Sequence, residues 1–213
     1  MALLPLVGAI LASLVIGLNL LLNEFFNPLY AAFVASVLYL FLYGFLHLEA
    51  ICDVVDAWFA SYSGKDPYEI MKDPTIGAIG ALYTFSFVLL KVGISTYILY
   101  EGQYALFFAI LVFSRLNFMY LLSFFKFSKD SFLSLAFQGA GVGKIKIYTL
   151  IYVIIIWFFL PDTLVLFLIS MISFYFVLKI LNKKFSFVNG DCLGFTLEHT
   201  ELILLNIGLA LVL

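Results

Sequence analysis

The sequence has very little charge. Only 11% of its 213 residues are charged, whereas 65% are hydrophobic and the mean hydropathy is +1.15. Soluble domains carry about 25% charged residues, so this shortage excludes an ordinary soluble domain and indicates a polytopic membrane protein. A net charge of −2 without a basic stripe argues against nucleic-acid binding. Cysteine is also scarce: Cys52 and Cys192 form no C-x-x-C pair, and we expect them to be small buried residues.

Long apolar runs alternate with short polar connections. This pattern predicts an all-α integral membrane bundle that forms a single transmembrane catalytic domain, residues 1–213. We predict about seven transmembrane helices, with six plus a re-entrant piece as the alternative because the fifth is short. Residues 47–73 form the longest early polar stretch and are expected to include an interfacial cytosolic helix. The spans are expected at residues 3–22, 29–46, 75–100, 104–125, 146–160, 163–180 and from about 193 to 213.

Basic residues are distributed unevenly among the predicted connections. The first, third and fifth connections contain acidic residues and no basic ones. Because cytoplasmic connections are enriched in Lys and Arg, we expect the even-numbered connections, the N-terminus and the acidic motifs to face the cytoplasm, in the plasma membrane. Nine of the eleven basic residues lie in or beside those connections: Lys65, Lys72, Lys126, Lys129, Lys144, Lys146, Lys179, Lys183 and Lys184.

Acidic residues are concentrated between Leu46 and Gly80, where six of the thirteen lie. On a helix, Glu49, Asp53 and Asp56 fall within roughly 60° of one another. Like charges on one face repel, and a divalent cation such as Mg²⁺, which prefers oxygen ligands, would remove that repulsion. The alternative is the solvated face of an interfacial helix anchored by Trp58.

Three further polar residues lie beside this group. Glu69 and Asp73 have i, i+4 spacing, but both also occupy positions typical of helix starts, since Asp66-Pro67 and Asp73-Pro74 each resemble an N-cap followed by a first-turn proline. We predict two helix starts there. His47 is a candidate base or ligand, with a hydrogen-bonded structural histidine as the alternative.

The last apolar stretch begins with a second acidic group. Asp191, Glu198 and Glu201 share one helical face, and Gly190 and Gly194 would let backbone or a ligand approach closely. N-capping by Asp191 is the alternative. Since an apolar run follows Glu201 directly, we expect at least one glutamate at the membrane edge or deeper, where an acidic residue has a functional or paired role.

Lys91 and Arg115 are the two basic residues well inside predicted spans. Ionisable residues within the membrane require a partner and indicate a functional site. Their alternatives are a structural ion pair with an acidic residue, or two cations that bind phosphate oxygens. Together with the carboxylates, they favour a divalent-metal phosphotransferase acting on a diphosphate.

Two other classes share some of these features. A CDP-alcohol phosphatidyltransferase also uses clustered aspartates, and Asp53-x-x-Asp56 matches the start of its signature; Ala57 replaces the next glycine, however, and no arginine follows in register. An ion-coupled membrane transporter would use intramembrane charges as a relay, but such proteins show internal repeats, which this sequence lacks.

The motifs, in their order along the chain, resemble the cobalamin synthase (adenosylcobinamide-GDP ribazoletransferase) family. Its pattern runs HLDGLADTxDG, EIMxDSxxGxxG, K, SR and GxTGDxLGAxxExxE. This chain has HLEAICDVVDA from His47, EIMKDPTIGAIG from Glu69, Lys91, Ser114-Arg115 and GDCLGFTLEHTE from Gly190. Glu49 stands where the family has Asp, which places fine substrate preference rather than reaction type in question.

The resemblance implies a reaction and a set of roles. The 5′ oxygen of α-ribazole, or of its 5′-phosphate, would attack the cobinamide-linked phosphate of adenosylcobinamide-GDP and release GMP. Mg²⁺ is the implied metal, and the short spans leave room for a homo-oligomer in the lipid bilayer. The implied metal ligands are Glu49, Asp53 and Asp56; the catalytic residues are Asp191, Glu198, Lys91 and Arg115; and the substrate-binding residues are His47, Glu69, Asp73, Glu201, Ser114, Gly190 and Gly194.

Overall fold

The computed structural model of the chain describes residues 3–121, 142–159 and 163–212. These ranges are almost wholly helical, and no strand occurs in them, which confirms the all-α prediction. A 3₁₀ turn at Ser61–Ser63 follows the third helix. The α-helices are α1 (Leu4–Asn23), α2 (Pro28–Leu42), α3 (Leu46–Ala60), α4 (Pro67–Lys72), α5 (Ala78–Tyr100), α6 (Tyr104–Leu121), α7 (Val142–Phe159), α8 (Leu164–Phe185) and α9 (Gly190–Val212).

Three of the described helices, α1, α5 and α8, are long and apolar enough to cross a membrane. The pair α2 and α3 makes a fourth candidate if it counts as one broken span, since its two halves meet at an angle of 75°. Many large apolar side chains on the outside of these helices are exposed, as expected for surfaces that contact lipid. The described helices therefore have the length and composition typical of a helical membrane protein, and the count of seven spans stays a prediction.

The bend between α2 and α3 has a local cause. Gly44 and Phe45 both have positive φ, at 67° and 56°, which ends α2 and redirects the chain into α3. Such a conformation is common for glycine but strained for phenylalanine, whose ring packs edge-on against Phe41. The predicted second span, 29–46, is thus shortened at its C-terminal end.

Helix α3 is a central element of the bundle. It packs between α5 and α9 and buries Ile51, Val54 and Val55, while Glu49 on its other side is exposed. The buried face of α3 also carries Ala50 and Ala57, whose small side chains allow neighbouring helices to approach closely. This arrangement gives the acidic residues of α3 a rigid base.

Two predicted helix boundaries were wrong. The third span begins at Ala78 rather than Thr75, because Asp73 accepts hydrogen bonds within the turn that it forms with Thr75 and so starts no helix. The sixth span, predicted to end at residue 180, continues to Phe185, whereas the last helix begins at Gly190, within the motif predicted to open it. The start at Asp66 is confirmed: its side chain accepts a hydrogen bond from the Tyr68 amide at 2.9 Å, with Pro67 next.

Some predictions fall outside the described residues. These are the end of the fourth span beyond Leu121, most of the connection that contains Lys126 and Lys129, and the Pro161-Asp162 connection.

Candidate functional site

Three carboxylates from two helices form an acidic face. Glu49 and Asp53 lie one turn apart on α3, and Asp191 lies in the first turn of α9. The Asp53 carboxylate is close enough to Asp191 and to Glu49 for electrostatic repulsion, and Asp191 and Glu49 repel each other in the same way. Among the described residues, no lysine or arginine forms an ion pair with any of the three. The prediction that acidic residues far apart in the sequence approach one another is therefore met for Asp53 and Asp191.

Asp56, the third predicted ligand on α3, caps a neighbouring helix. Its carboxylate accepts hydrogen bonds from the amides of Gly77 and Gly80, at 2.7 and 2.8 Å. These amides belong to the first turn of α5, whose own N-cap residue, Gly77, has no side chain to accept them. A Cβ at either glycine would lie 2.4–2.5 Å from the carboxylate oxygens, so only glycine permits this contact. The Cys52 thiol donates to the oxygen that Gly77 contacts, at 3.8 Å, and the other oxygen keeps a second lone pair. The metal-ligand assignment of Asp56 stays a prediction.

Asn189 orders the start of α9. Its side chain accepts a hydrogen bond from the Cys192 amide at 2.9 Å and donates one to Asp191 at 2.8 Å. The helix is therefore capped by Asn189, whereas the sequence suggested Asp191 for that role. This arrangement leaves Asp191 facing Asp53 and Glu49.

The two glycines of α9 have different surroundings. A Cβ on Gly194 would lie 2.9 Å from the Ala50 Cβ and 3.2 Å from the His47 ring, so this glycine lets α3 and α9 approach closely. Gly190 has open space around it. The prediction that close backbone approach occurs here is confirmed for Gly194.

A second group of charges is buried in the bundle. Lys91 of α5 donates to Glu198 of α9 at 2.5 Å and lies 2.8 Å from Glu201. Arg115 of α6 forms an ion pair with the other oxygen of Glu201. All four side chains are at most 6% exposed, and we call them the buried charge cluster. Its two positive and two negative charges balance, as the low dielectric of a membrane bundle requires.

Neutral hydroxyl groups complete this cluster. The Tyr39 hydroxyl hydrogen-bonds to Glu201 and accepts from Arg115 at 3.1 Å, and the Ser114 hydroxyl donates to Glu201 at 3.1 Å. Glu201 is thus the shared acceptor. One oxygen of Glu198 has no hydrogen-bond partner among the described residues. The predicted partners of Lys91 and Arg115 are therefore found.

His47 lies at the α3–α9 contact, near the buried charge cluster. It is within electrostatic range of Arg115, Lys91 and Glu201, and its ring stacks at 6.1 Å on Tyr43. His47, Tyr43 and Arg115 also line a small cavity of about 130 Å³ whose other walls are apolar. Asp191 and Glu198 are seven residues apart on one face of α9, so the acidic face and the buried charge cluster are separated by about 10 Å along the helix.

Glu69 and Asp73 lie on or beside the short helix α4, and both are exposed. Hydrogen bonds from the Thr75 hydroxyl and amide hold the pKa of the Asp73 carboxyl below its usual value. Asp73 shares with Asp56 the wall of an open cavity of about 520 Å³ between α3, α4 and α5. Glu69 does not line that cavity, so the cavity does not bring Glu69 and Asp73 together.

Sequence reasoning did not find Tyr39 or Asn189. Tyr39 is one of thirteen tyrosines in an aromatic-rich chain, and nothing in its spacing distinguishes it. Asn189 directly precedes the Gly190-Asp191 motif, and its capping residue type was the one available signal.

Within residues 3–121, 142–159 and 163–212, no three His, Cys, Asp or Glu side chains lie close enough together to hold a metal ion. The chemistry of the acidic face still fits one, since it offers hard oxygen donors whose mutual repulsion no nearby cation relieves.

Comparisons with known proteins identify the family. The family model described as cobalamin-5-phosphate synthase (CobS) matches residues 1–209. Adenosylcobinamide-GDP ribazoletransferase from Treponema denticola is 29% identical over 95% of this chain and 84% of its own length. The enzymes of that name from Caldanaerobacter subterraneus and Clostridioides difficile are each 28% identical, over 93% and 94% of this chain and 82% and 83% of theirs. No solved structure matches significantly. With a match along nearly its whole length, the chain belongs to the cobalamin-5-phosphate synthase family of transferases.

Proposed function

We propose that the protein transfers the cobinamide-phosphate group of adenosylcobinamide-GDP to α-ribazole or α-ribazole 5′-phosphate and releases GMP. The match of the cobalamin-5-phosphate synthase family to residues 1–209 carries this proposal, because the name of the relatives, adenosylcobinamide-GDP ribazoletransferase, states donor and acceptor. The acidic face supports it, since clustered carboxylates are typical of sites that handle diphosphates with a divalent cation.

The acceptor oxygen can be stated more closely. A product that keeps a phosphate on the 5′ position, as the family description implies, requires a different ribose hydroxyl to attack. We therefore place the attack on a ring hydroxyl when α-ribazole 5′-phosphate is the acceptor. The 5′ oxygen expected from the sequence is the alternative for unphosphorylated α-ribazole.

The transfer step then balances as follows. The acceptor hydroxyl loses its proton and forms a bond to the phosphorus attached to cobinamide, while the bond from that phosphorus to the bridging oxygen breaks. GMP leaves with the bridging oxygen and its negative charge. Asp191 or Glu198 takes the proton; Glu198 has an oxygen without a hydrogen-bond partner among the described residues, and Asp191 lies on the more open acidic face.

Glu49, Asp53 and Asp191 are the residues that would hold Mg²⁺, with Asp56 as a further ligand. When bound there, the ion would neutralise charge on the diphosphate and stabilise the departing GMP. Gly77, Gly80 and Asp56 fix α5 against α3, so the carboxylates are held on a rigid base before substrate binds. Lys91 and Arg115 hold Glu198 and Glu201 in place and supply positive potential behind the site.

Other assignments belong to this proposal. His47, Ser114, Glu201, Gly190 and Gly194 are proposed to shape the substrate site where α9 meets α3 and α6. Asp73, with Glu69 nearby on α4, is proposed to contact substrate at the open cavity. We further propose that the site faces the cytoplasm from the plasma membrane, with the N-terminus on the same side.

The test is a reconstituted transfer assay. The purified protein in lipid nanodiscs is incubated with adenosylcobinamide-GDP, Mg²⁺ and either α-ribazole or α-ribazole 5′-phosphate, and GMP release is scored together with the corrinoid product. We expect one GMP per corrinoid product and loss of turnover with EDTA that excess Mg²⁺ restores. No product with either acceptor would refute the proposed reaction, whereas turnover that EDTA leaves unchanged would refute only its metal dependence.

A further inference from the structure

A largely apolar cavity of about 320 Å³ lies between α3, α5, α8 and α9. Two of the hydrophobic residues in its lining, Phe59 and Ile180, are 48% and 53% exposed, so the cavity opens on the outer surface of the bundle. The α3 residues that line it lie about 100–160° around the helix from Asp53. The cavity is therefore behind the acidic face and outside the proposed substrate site.

The two polar side chains in this lining, Tyr83 and His199, are bound to each other. Nε2 of His199 lies 2.8 Å from the Tyr83 hydroxyl, and Nδ1 lies 2.8 Å from the Phe195 carbonyl oxygen. Since a carbonyl oxygen can only accept, Nδ1 donates to Phe195 and Nε2 accepts the Tyr83 proton. This pairing uses both ring nitrogens and the hydroxyl proton, so the cavity favours an apolar occupant.

A lysine without an acidic partner lies at one end of the cavity. Lys184, in the last turn of α8, lies on the same side of that helix as Val177 and Leu181, which line the cavity. Its ammonium nitrogen is 5.2 Å from the ring centroid of Trp58, another lining residue, and 3.7 Å from that of Tyr62. Among the described carboxylates, none forms an ion pair with Lys184.

The surroundings of the cavity supply an apolar occupant. The outer helix surfaces of a membrane bundle contact lipid acyl chains, so a cavity that opens on them is filled by hydrocarbon. A cavity of roughly 150 Å³ holds benzene, so 320 Å³ has room for about ten carbons of one chain. Along α8, Val177 lies about 10 Å from the level of Lys184, which is the depth that such a chain would reach.

The lysine gives the cavity selectivity among lipids. Acyl chains are as apolar as the side chains of the lining, so a chain alone would bind here no better than elsewhere on the bundle. An anionic headgroup is attracted to a lysine at the membrane surface, whereas a zwitterionic headgroup has no net charge to contribute. The phosphate of an anionic lipid would meet an uncompensated positive charge at Lys184.

We propose that this cavity binds one acyl chain of an anionic phospholipid whose phosphate pairs with Lys184. The lipid is held by shape between α3, α8 and α9, and by charge at the end of α8. Trp58 lies at the wall of the cavity, beside the proposed position of the headgroup. Lipid binding here is independent of the proposed transfer reaction, because it uses the opposite side of α3 from the acidic face.

The two tryptophans of the chain allow a direct measurement. Trp157→Phe leaves Trp58 as the sole tryptophan, and Trp58→Phe leaves Trp157, 54% exposed on α7, as the matched control. Each variant is placed in phosphatidylcholine nanodiscs that contain the same low mole fraction of brominated phosphatidylglycerol or brominated phosphatidylcholine. Bromine on an acyl chain quenches tryptophan fluorescence on contact. Brominated phosphatidylglycerol should quench Trp58 at least about threefold more than brominated phosphatidylcholine does, whereas the two lipids should quench Trp157 equally.

Substitutions in the Trp157→Phe background test the two parts of the site. Lys184→Gln should abolish the preference for the anionic lipid, whereas Lys179→Gln, exposed on the opposite side of α8, should keep it. Val177→Phe narrows the cavity and should reduce the quenching of Trp58 by both lipids. Ile172→Phe, at a 57% exposed position on the far side of the same helix, is its control and should leave the quenching unchanged.

Three results would overturn the inference. Equal quenching of Trp58 by the two brominated lipids would show that the headgroup is not recognised. A preference for the anionic lipid that survives Lys184→Gln would place the phosphate elsewhere. Quenching of Trp157 without quenching of Trp58 would show that protein, such as a second copy of the chain, fills the cavity. GMP release does not enter any of these readouts, so failure of the transfer reaction would leave the result on lipid binding intact.

Discussion

The acidic face and the buried charge cluster both contain carboxylates, but among the described residues only the carboxylates of the buried charge cluster are paired with cations. Glu49, Asp53 and Asp191 have one sign of charge, are exposed or half-buried, and meet no cation among the described residues. In the buried charge cluster every charge has an oppositely charged partner within ion-pair distance. The bundle therefore neutralises charge completely in one place and leaves it uncompensated in another, about two helical turns away along α9.

The difference separates structure from ligand binding. Buried charges that are paired stabilise one packing arrangement, and removing one partner leaves the other uncompensated. Uncompensated carboxylates repel each other and destabilise the protein when no cation is bound. Binding or removal of a cation should therefore affect the acidic face most. Variants of the buried charge cluster should accordingly lower stability, whereas variants of the acidic face should lower activity without lowering stability.

The largest effect is expected for Lys91→Met. This change leaves Glu198 buried without its cation and removes one of two cations from Glu201, so it should lower the free energy of unfolding by about 3–5 kcal/mol. Thermal unfolding in detergent measures the loss. Lys179→Met, at an exposed position of α8, is the matched control and should unfold as the wild type does.

The double variant Lys91→Met with Glu198→Gln sharpens this test. It removes one charge of each sign and leaves the Arg115–Glu201 pair balanced, so it should recover at least half of the lost stability. A double variant as unstable as the single one would show that Lys91 acts through packing and not through charge balance.

Asp53→Asn should show the reverse behaviour. It removes a proposed metal ligand and should lower the rate of GMP release more than about 100-fold, which corresponds to about 3 kcal/mol of transition-state stabilisation. Because Asp53 is repelled by Asp191 and Glu49, the thermal unfolding midpoint should stay constant or rise. Glu101→Gln, on an exposed turn, is the control for both measurements. A variant that keeps activity, or one that loses activity only because it unfolds, would break the distinction between the two groups.

Tyr39→Phe is expected to have a smaller effect on stability. The hydroxyl connects Glu201 with Arg115, and hydrogen bonds to charged groups contribute about 1.5–3 kcal/mol. Since both ion pairs of Glu201 remain, the loss should be well below that of Lys91→Met. Thermal unfolding of Tyr39→Phe beside Tyr97→Phe, a half-exposed tyrosine on α5, measures it. Equal midpoints for the two variants would remove Tyr39 from the cluster.

These two regions also show how far the sequence could predict the structure. Helix identities, the Asp66 cap and the need of Lys91 and Arg115 for partners followed from hydropathy, capping patterns and the cost of buried charge. Which glutamate pairs with which cation did not follow, because residues 86 to 110 positions apart meet only through helix packing. The role of Asp56 was missed for the same reason: periodicity placed it on a face with Asp53, but the N-cap of the helix that it caps lies 21 residues later.

Asp56→Asn therefore tests whether Asp56 acts as part of the acidic face or only as the cap of α5. Asparagine keeps one carbonyl oxygen, so one of the two amide bonds to Gly77 and Gly80 survives and the loss of capping should cost about 0.5–2 kcal/mol. Activity should fall, but less than in Asp53→Asn, because much of the Asp56 hydrogen-bonding capacity serves α5. The two readouts, thermal unfolding and GMP release, are measured on the same nanodisc preparation. A loss of activity equal to that of Asp53→Asn with an unchanged midpoint would assign Asp56 to the acidic face, and a lower midpoint with full activity would make it a capping residue alone.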